Sequence, residues 1–240
     1  MRSSRRRVMA VLRKELRDLR RSGNVVTAMV VLPLVFLIQP IIQVFAIPSS
    51  GSAALHHEHT LIYLLAIPAL VPSALSAYSI VGERMQGTLE PLLSTPVQER
   101  ELILGKALAV FLPSVSVAYA VFALFIAIVE LFAAPGVAPA LVQGPDVLAQ
   151  FVFTPLLVIM SIWIGMAISA RSRDMRTAGQ LSIVVSLPTV AITSLIAFNV
   201  IPATLQVALV CGIGLLFLDR LGWRIATSLF DRERLITSSK

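Results

Sequence analysis

The feature that most constrains this chain is a series of apolar runs, each long enough to cross a lipid bilayer as a helix. A hydrocarbon core about 30 Å thick needs roughly 20 apolar residues at a rise of 1.5 Å per residue. Such runs occur near residues 25–47, 60–81, 107–129, 147–170, 178–198 and 202–218. They lack the alternation of apolar and polar residues that marks a membrane barrel strand. The sequence therefore predicts an all-α integral membrane protein with six transmembrane helices.

The basic residues give the orientation, because Lys and Arg collect in cytoplasmic loops. Of the 20 basic residues, nine precede the first run, three lie in the segment 82–106, three follow the fourth run, and five follow the sixth. The connections on the other side, residues 48–59, 130–146 and 199–201, contain none. We therefore expect both termini in the cytoplasm, and the net charge of +7 does not require a nucleic acid partner.

The first 24 residues predict a cytoplasmic amphipathic helix at the membrane surface. Val8, Leu12, Leu16 and Leu19 share one face, while arginines crowd the other. Because these charges separate the N-terminus from a run that is too long for a signal peptide, we expect no cleavage. The predicted organisation is this N-terminal segment (1–24), a transmembrane domain (25–218) and a cytoplasmic tail (219–240).

One polar segment, residues 82–106, separates two of the apolar runs. It contains four acidic and three basic residues: Glu83, Glu90, Glu99, Glu101, Arg84, Arg100 and Lys106. Two short helices, 83–93 and 98–106, are predicted on either side of Ser94-Thr95-Pro96, because the residue before a proline is disfavoured in a helix. A charged helical hairpin on the cytoplasmic side is typical of a docking element for a soluble partner.

The chain contains no credible nucleotide site of its own. A P-loop needs a Gly-rich turn followed by Lys and Ser or Thr, but Gly87 is followed by Thr88, and Gly105-Lys106 runs into Ala107. The predicted spans also lack the ionisable residues that form proton or ion pathways. We therefore expect the energy for any transport to come from another subunit, with no catalytic, metal or cofactor site in this chain.

Few polar side chains lie within the spans. Gln39 and Gln43 are four residues apart and share one face of the first span. They predict either hydrogen bonds between helices or contacts along a substrate path. The cluster His56-His57-Glu58-His59 is either a solvated external loop or a contact for a metal or haem. Four consecutive residues do not converge on one ion without an irregular turn.

The residues of the polar segment resemble a motif of a known protein family. The loop between the second and third spans of type-2 ATP-binding-cassette (ABC) transporter permeases has a similar pattern, here carried by Glu83-Arg84, Gly87-Thr88, Glu90, Leu92-Leu93, Thr95-Pro96, Glu101 and Gly105-Lys106. The N-terminal Arg13-Lys14-Glu15-Leu16 and the ending Phe230-Asp231-Arg232-Glu233-Arg234-Leu235 also resemble that family.

The resemblance implies the permease subunit of an ATP-driven exporter in the cytoplasmic membrane of a prokaryote. Two such subunits, identical or different, would pair above two P-loop ATPase subunits that hold ATP and Mg²⁺. The segment 82–106 would be the coupling hairpin, with Glu83, Arg84, Gly87, Thr88, Glu90, Thr95, Pro96, Glu101 and Lys106 as its contact residues. Many members carry an external re-entrant element between the fifth and sixth spans; the short turn at 198–202 leaves little room for one here unless the fifth span is shorter, in which case part of 193–209 would form it.

Two other functions are open on the sequence alone. The first is a membrane-embedded lipid-modifying enzyme, which requires acid, base or metal-binding residues to converge at one depth. The only candidates are in the poorly arranged histidine cluster. The second is a non-transporting scaffold whose charged hairpin recruits a soluble partner. Substrate-dependent ATP hydrolysis by the partner distinguishes an exporter from a scaffold.

Overall fold

The computed structural model describes residues 2–46, 59–87, 97–134 and 136–229. Within these ranges every regular element is a helix. In chain order the helices are α1 (Arg2–Arg21), α2 (Gly23–Ala46), α3 (Thr60–Tyr63), α4 (Ala66–Met85), α5 (Glu99–Phe132), α6 (Val137–Leu141), α7 (Gly144–Arg171), α8 (Met175–Ala197) and α9 (Leu205–Leu229).

Five helical stretches of the described chain are long and apolar enough to cross a membrane: Thr60–Met85, Glu99–Phe132, Gly144–Arg171, Met175–Ala197 and Leu205–Ser228. A shorter apolar stretch, Met29–Phe45, lies within α2. The predicted all-α fold is confirmed over these residues, and five helices of this length and composition are consistent with a membrane protein. That α2 is a sixth span stays a prediction.

Helix α4 lies at the centre of the bundle and packs most extensively against α7. Gly165 of α7 allows this close approach, because a Cβ atom there would overlap Ser76 Oγ and the Ser73 carbonyl oxygen of α4. Small residues at a crossing are how membrane helices gain packing energy without a hydrophobic driving force. The α4–α7 pair is therefore the core on which the other helices assemble.

Hydroxyl groups of α7 form hydrogen bonds with backbone groups of α4. Pro72 has no N–H, so the carbonyl of Pro68 has no partner one turn earlier in the helix. Ser161 Oγ of α7 lies 3.2 Å from that Pro68 oxygen and 2.7 Å from the Ala69 oxygen. At the other end of the contact, Ser169 Oγ accepts from a backbone N–H of α4, that of Val81, at 3.0 Å. These bonds fix the register of the two helices.

Several predicted boundaries around the spans are wrong. The predicted helix 98–106 and the third span form one unbroken helix, α5, since no residue between them favours a turn. The predicted loop 130–146 contains the end of α5 and the short helix α6, whose residues Val137, Ala140 and Leu141 are buried in the apolar core. Burial of these side chains orders a segment that its Pro and Gly content predicts to be a loop.

The last two spans are joined by a turn. Residues 198–204 connect α8 to α9, with Asn199 at a φ of 55°. No re-entrant hairpin is present in 193–209, all of which the structure describes. Helix α9 continues to Leu229 rather than ending at 218, because Trp223 and Ala226 pack on the core. Charged residues at 219 and 220 mark the predicted end of the span, but they do not end the helix.

The α4–α7 crossing predicts a strong effect of Gly165→Ala. The added methyl group would meet the α4 backbone, so we expect the free energy of unfolding to fall by about 1–3 kcal/mol. Thermal unfolding in detergent micelles measures this change. The matched control is Gly214→Ala in α9, where a Cβ atom meets nothing within 4 Å. Equal stabilities of the two variants would contradict the proposed role of Gly165.

Candidate coupling site at the junction of α1, α4 and α5

Four charged side chains from three helices meet where α4 ends and α5 begins. Glu83 Oε1 of α4 lies 2.8 Å from Lys14 Nζ of α1 and 2.9 Å from Lys106 Nζ of α5. Glu15 Oε1 of α1 lies 3.0 Å from Lys106 Nζ and 3.2 Å from Lys14 Nζ. We call these four residues the ionic cluster. Two carboxylates and two ammonium groups balance, so the cluster carries no net charge.

Lys106 is the most deeply buried member, with 2% of its side chain exposed. Its ammonium group donates to the Ser79 carbonyl oxygen at 2.9 Å in addition to its two carboxylate partners. A Lys ammonium has three donors; here it donates to Glu15 and to the Ser79 carbonyl and lies within ion-pair distance of Glu83. This matters because a buried charge is tolerated only when it is paired and its hydrogen-bonding capacity is satisfied.

The charges of the cluster also stabilise the ionised forms of Lys14 and Glu15, its two residues in α1. Burial raises the pKa of Glu15, but the adjacent Lys106 and Lys14 charges outweigh burial and hold that pKa below its ordinary value. Burial likewise disfavours the charged form of Lys14, but the hydrogen bond to Glu83 and the neighbouring carboxylates raise the pKa of Lys14 above its ordinary value. Both groups are therefore charged at neutral pH.

Two further contacts attach α1 to the start of α5. A Cβ atom at Gly105 would lie 2.6 Å from Val11 Cβ of α1, so only glycine allows the two helices to approach this closely. Glu101 Oε2 caps the N-terminus of α5 by accepting from the Gln98 backbone N–H at 3.1 Å. The same oxygen lies 3.5 Å from Arg7 Nη1 of α1. Gly105 thus allows α1 and α5 to pack closely, and Lys106 pairs with a carboxylate of the same helix α1.

Arg84, next to the cluster in sequence, reaches a different helix. Its guanidinium group donates to the Ala170 carbonyl oxygen at 3.2 Å and to the Ser172 carbonyl oxygen at 3.1 Å, both at the end of α7. Carbonyl groups in the last turn of a helix have no partner within it, and they carry partial negative charge. Arg84 therefore caps α7 and ties it to α4.

The predicted helix 83–93 does not begin as a separate helix, because its first three residues are the end of α4, which ends at Met85; residues 88–93 lie outside the described residues. Glu83 and Arg84 form the last turn of the long helix α4. Gly87 follows with a φ of 67°, a left-handed conformation that favours glycine and ends the helix. Thr88, Glu90, Thr95 and Pro96, also predicted contact residues, lie outside the described residues.

Gln39 and Gln43 of α2 do come together. Gln39 Nε2 lies 3.4 Å from Gln43 Oε1, which Thr60 Oγ1 approaches at 3.5 Å. Both side chains line a shallow groove with the outward-facing Val35, Ile38 and Ile42. The geometry fits hydrogen bonding between helices, and their contact with a substrate stays a prediction.

Comparison with protein families identifies the chain. The model of the family described as "ABC-2 family transporter protein" matches residues 9–224, which is most of the sequence. The chain belongs to the ABC-2 transporter family. Members of this family are membrane transport components and are not themselves catalytic. A search among curated proteins finds no match.

On the opposite side of this ABC-2 transporter permease, His59 joins the ends of three helices. Its Nδ1 atom lies 2.9 Å from Asp146 Oδ1 at the start of α7, and its backbone N–H donates to the Ala197 carbonyl oxygen at the end of α8. His59 itself directly precedes α3. His56, His57 and Glu58 lie outside the described residues. One member of the predicted histidine cluster thus takes part in a contact that holds helix ends together.

Sequence reasoning missed Lys14 and Glu15 as members of the site. In the sequence these two residues stand out only as part of the N-terminal resemblance to the family. The amphipathic pattern of α1 indicates an apolar stripe that faces lipid. In the structure Val11 and Leu12 are buried, and α1 packs along α5. A signal was present, since Glu15 lies on the apolar side of α1, where a carboxylate needs a partner.

Arg84 allows a direct test of the α4–α7 attachment. Arg84→Met keeps an unbranched apolar stem but removes both hydrogen bonds to the end of α7. We expect the free energy of unfolding to fall by about 1–3 kcal/mol, because charged donors to buried carbonyl groups are lost. Thermal unfolding in detergent measures the change, with Arg176→Met at an exposed position as the matched control. Equal stabilities of the two variants would show that the cap contributes nothing.

Proposed function

We propose that the chain is the membrane subunit of an ATP-driven exporter and that it couples to a separate P-loop ATPase subunit. The observation that carries this proposal is the ionic cluster, which holds α4 and α5 against α1 on either side of the loop 88–96. Family membership supports a transport permease. The absence of a P-loop pattern in the sequence supports an external source of energy.

The two groups of predicted contact residues take different parts in this proposal. Glu83, Arg84, Glu101 and Lys106 act within the chain, because each engages a helix or cap of its own subunit. They hold the two flanks of the loop rigid. Gly87, Thr88, Glu90, Thr95 and Pro96 lie in or next to the loop itself and would contact a groove of the ATPase.

Contacts between the helices would transmit a movement of the ATPase from this loop into the bundle. A push on the loop moves α4 and α5 together with α1, since the ionic cluster joins all three helices. Arg84 passes the movement to α7. Discrete helix movements of this kind interconvert inward-open and outward-open states in a two-state transporter.

The remaining surfaces fit a paired permease in a bilayer. Helices α2, α8 and α9 expose many large apolar side chains, which include Leu34, Val184 and Phe217. Lipid and a second permease subunit, identical or different, would cover them. The groove at Gln39 and Gln43 would then contact cargo between the subunits. The distribution of basic residues supports a cytoplasmic position for both termini, and the family resemblance implies the cytoplasmic membrane of a prokaryote.

Purification of the tagged full-length chain from its native membrane tests the proposal. We expect a P-loop ATPase in near-stoichiometric amount by mass spectrometry. Glu90→Lys in the loop should abolish this association by reversing a charge at the contact. A preparation that inserts normally but contains no ATPase would favour the scaffold or enzyme alternative.

The matched control for the loop variant is Glu130→Lys. Glu130 is an exposed acid near the other end of α5, so the charge change is the same on the opposite side of the bundle. We expect this variant to retain the ATPase. Loss of the ATPase from Glu130→Lys alone would contradict both the orientation and the coupling role of the loop.

A further inference from the structure

An apolar cavity of about 200 Å³ lies between α5 and α7. Apolar side chains of both helices line it, among them Leu104, Ala107, Leu108 and Phe111 of α5 and Ile159 and Trp163 of α7. An apolar cavity of roughly 150 Å³ is large enough to hold a benzene-sized hydrocarbon, and it does not fill with water. The cavity therefore has the size and the chemistry of a site for a hydrocarbon group.

The cavity opens to the outside of the bundle. Leu104 and Leu108, one helical turn apart on α5, are 41% and 37% exposed. The inner side of the cavity is closed, since Ala107, Ile162 and Trp163 are all buried. A membrane-spanning helix has lipid or another chain on its outer side, so one of these would occupy the cavity.

The cavity lies at the depth of the acyl chains of one leaflet. Its residues on α5 are five to twelve positions after the helix start, and those on α7 are eight to twelve positions before the helix end. At 1.5 Å per residue, these positions are about 8–18 Å from the two helix ends. Both ends lie beside the end of α4, which contacts Lys106 through Glu83 and the last turn of α7 through Arg84. One leaflet supplies about half of a hydrocarbon core roughly 30 Å thick, so the cavity is level with its chains.

One arginine lies beyond the cavity on the same face of α5. Arg100 precedes Leu104 by four residues and Leu108 by eight, a spacing that places all three on one side of the helix. It is exposed, and among the described residues no ion pair includes it. Four residues of helix correspond to about 6 Å, and the headgroup region adds about 5–8 Å to each side of the hydrocarbon core. Arg100 is therefore at the depth of the headgroups of lipids whose chains reach the cavity.

We propose that the cavity and Arg100 together bind one anionic phospholipid, with an acyl chain in the cavity and the headgroup at Arg100. A guanidinium group suits a phosphate because it donates two parallel hydrogen bonds to it. A headgroup with a net negative charge compensates the arginine, whereas a choline group brings a second positive charge close to it. Under the proposed orientation the lipid belongs to the cytoplasmic leaflet.

The charge on this face favours a lipid over a second copy of the chain. A symmetric contact between two copies uses the same surface on both. A contact through this face would therefore bring two Arg100 side chains towards each other, and like charges repel. The apolar faces of α2, α8 and α9 remain for a second subunit.

Quenching of tryptophan fluorescence by brominated lipids tests this site. Bromine quenches an indole only at close range, and Trp163 lines the cavity. The sequence contains two tryptophans, so Trp223→Phe leaves Trp163 as the single reporter. The full-length chain in detergent micelles is titrated with phosphatidylglycerol or phosphatidylcholine, each brominated on the same acyl chain. No ATPase is needed, so the result does not depend on the proposed function.

We expect an apparent affinity for phosphatidylglycerol about fivefold higher than that for phosphatidylcholine, because one basic residue near the membrane surface contributes about this factor for an anionic lipid. The unaltered chain, with both tryptophans, should show the same preference. Arg100→Gln should lose the preference but keep the quenching, since the acyl chain still enters the cavity. The matched control Arg176→Gln, at an exposed position of α8 on the same side of the bundle, should keep both.

A second pair of variants tests the cavity itself. Ala107→Leu places a larger side chain in the closed part of the cavity and should lose most of the quenching by both lipids. Ala120→Leu makes the same change at an exposed position of α5 outside the cavity and should be quenched as strongly as the chain without it.

Four results would overturn the proposal. Equal affinity of the unaltered chain for both lipids would show that charge is not recognised, and this comparison needs no variant to fold. An unchanged preference in a folded Arg100→Gln variant would exclude Arg100 as the headgroup contact. Equal quenching of the two alanine variants would mean that lipid surrounds the bundle without entering the cavity, and absence of quenching by either lipid would mean that another chain covers it. If any of these occurs while an ATPase still co-purifies, the lipid site is wrong and the proposed coupling function stands.

Discussion

The structure depends on one constraint, the need to pair the charges of Lys106, Glu83 and Glu15, which are largely removed from water at the junction of α1, α4 and α5. Lys106 is almost fully buried, so the unpaired ion would be strongly unfavourable. Its two carboxylate partners come from α1 and α4, helices that are distant in sequence. Charge pairing therefore fixes three helices relative to one another at the place where a soluble partner would act.

The contacts form a continuous path from the loop to the interior. The ionic cluster joins α1, α4 and α5, and Arg84 with the Gly165 crossing joins α4 to α7. Helix α7 in turn holds α9 through Gly222 at Trp163. A displacement of the helix ends at the ionic cluster would thus reach α9 through packed elements, as a physical route for coupling requires.

The sequence predicts what depends on local pattern. Long apolar runs predict the helices, and the Gly-Lys pair at 105 and 106 lies where α5 packs against α1. The partners of that pair were not predictable, because Glu15 lies 91 residues away from Lys106 and no local rule specifies which charges meet. The predicted end of the last helix was also wrong, since Trp223 and Ala226 extend α9 through contacts with other helices. Gly87, with its left-handed conformation, follows the end of α4 at Met85.

A double-mutant cycle between Glu83 and Lys106 tests the central claim most directly. The unfolding free energies of Glu83→Gln, Lys106→Met and the double variant are compared with that of the unaltered chain in detergent. Each single change leaves a buried charge short of a partner, whereas the double change leaves Lys14 and Glu15 as a balanced pair. We predict that the double variant loses at least about 1 kcal/mol less than the sum of the single losses. Additive losses would contradict the claim that the ionic cluster holds the junction together.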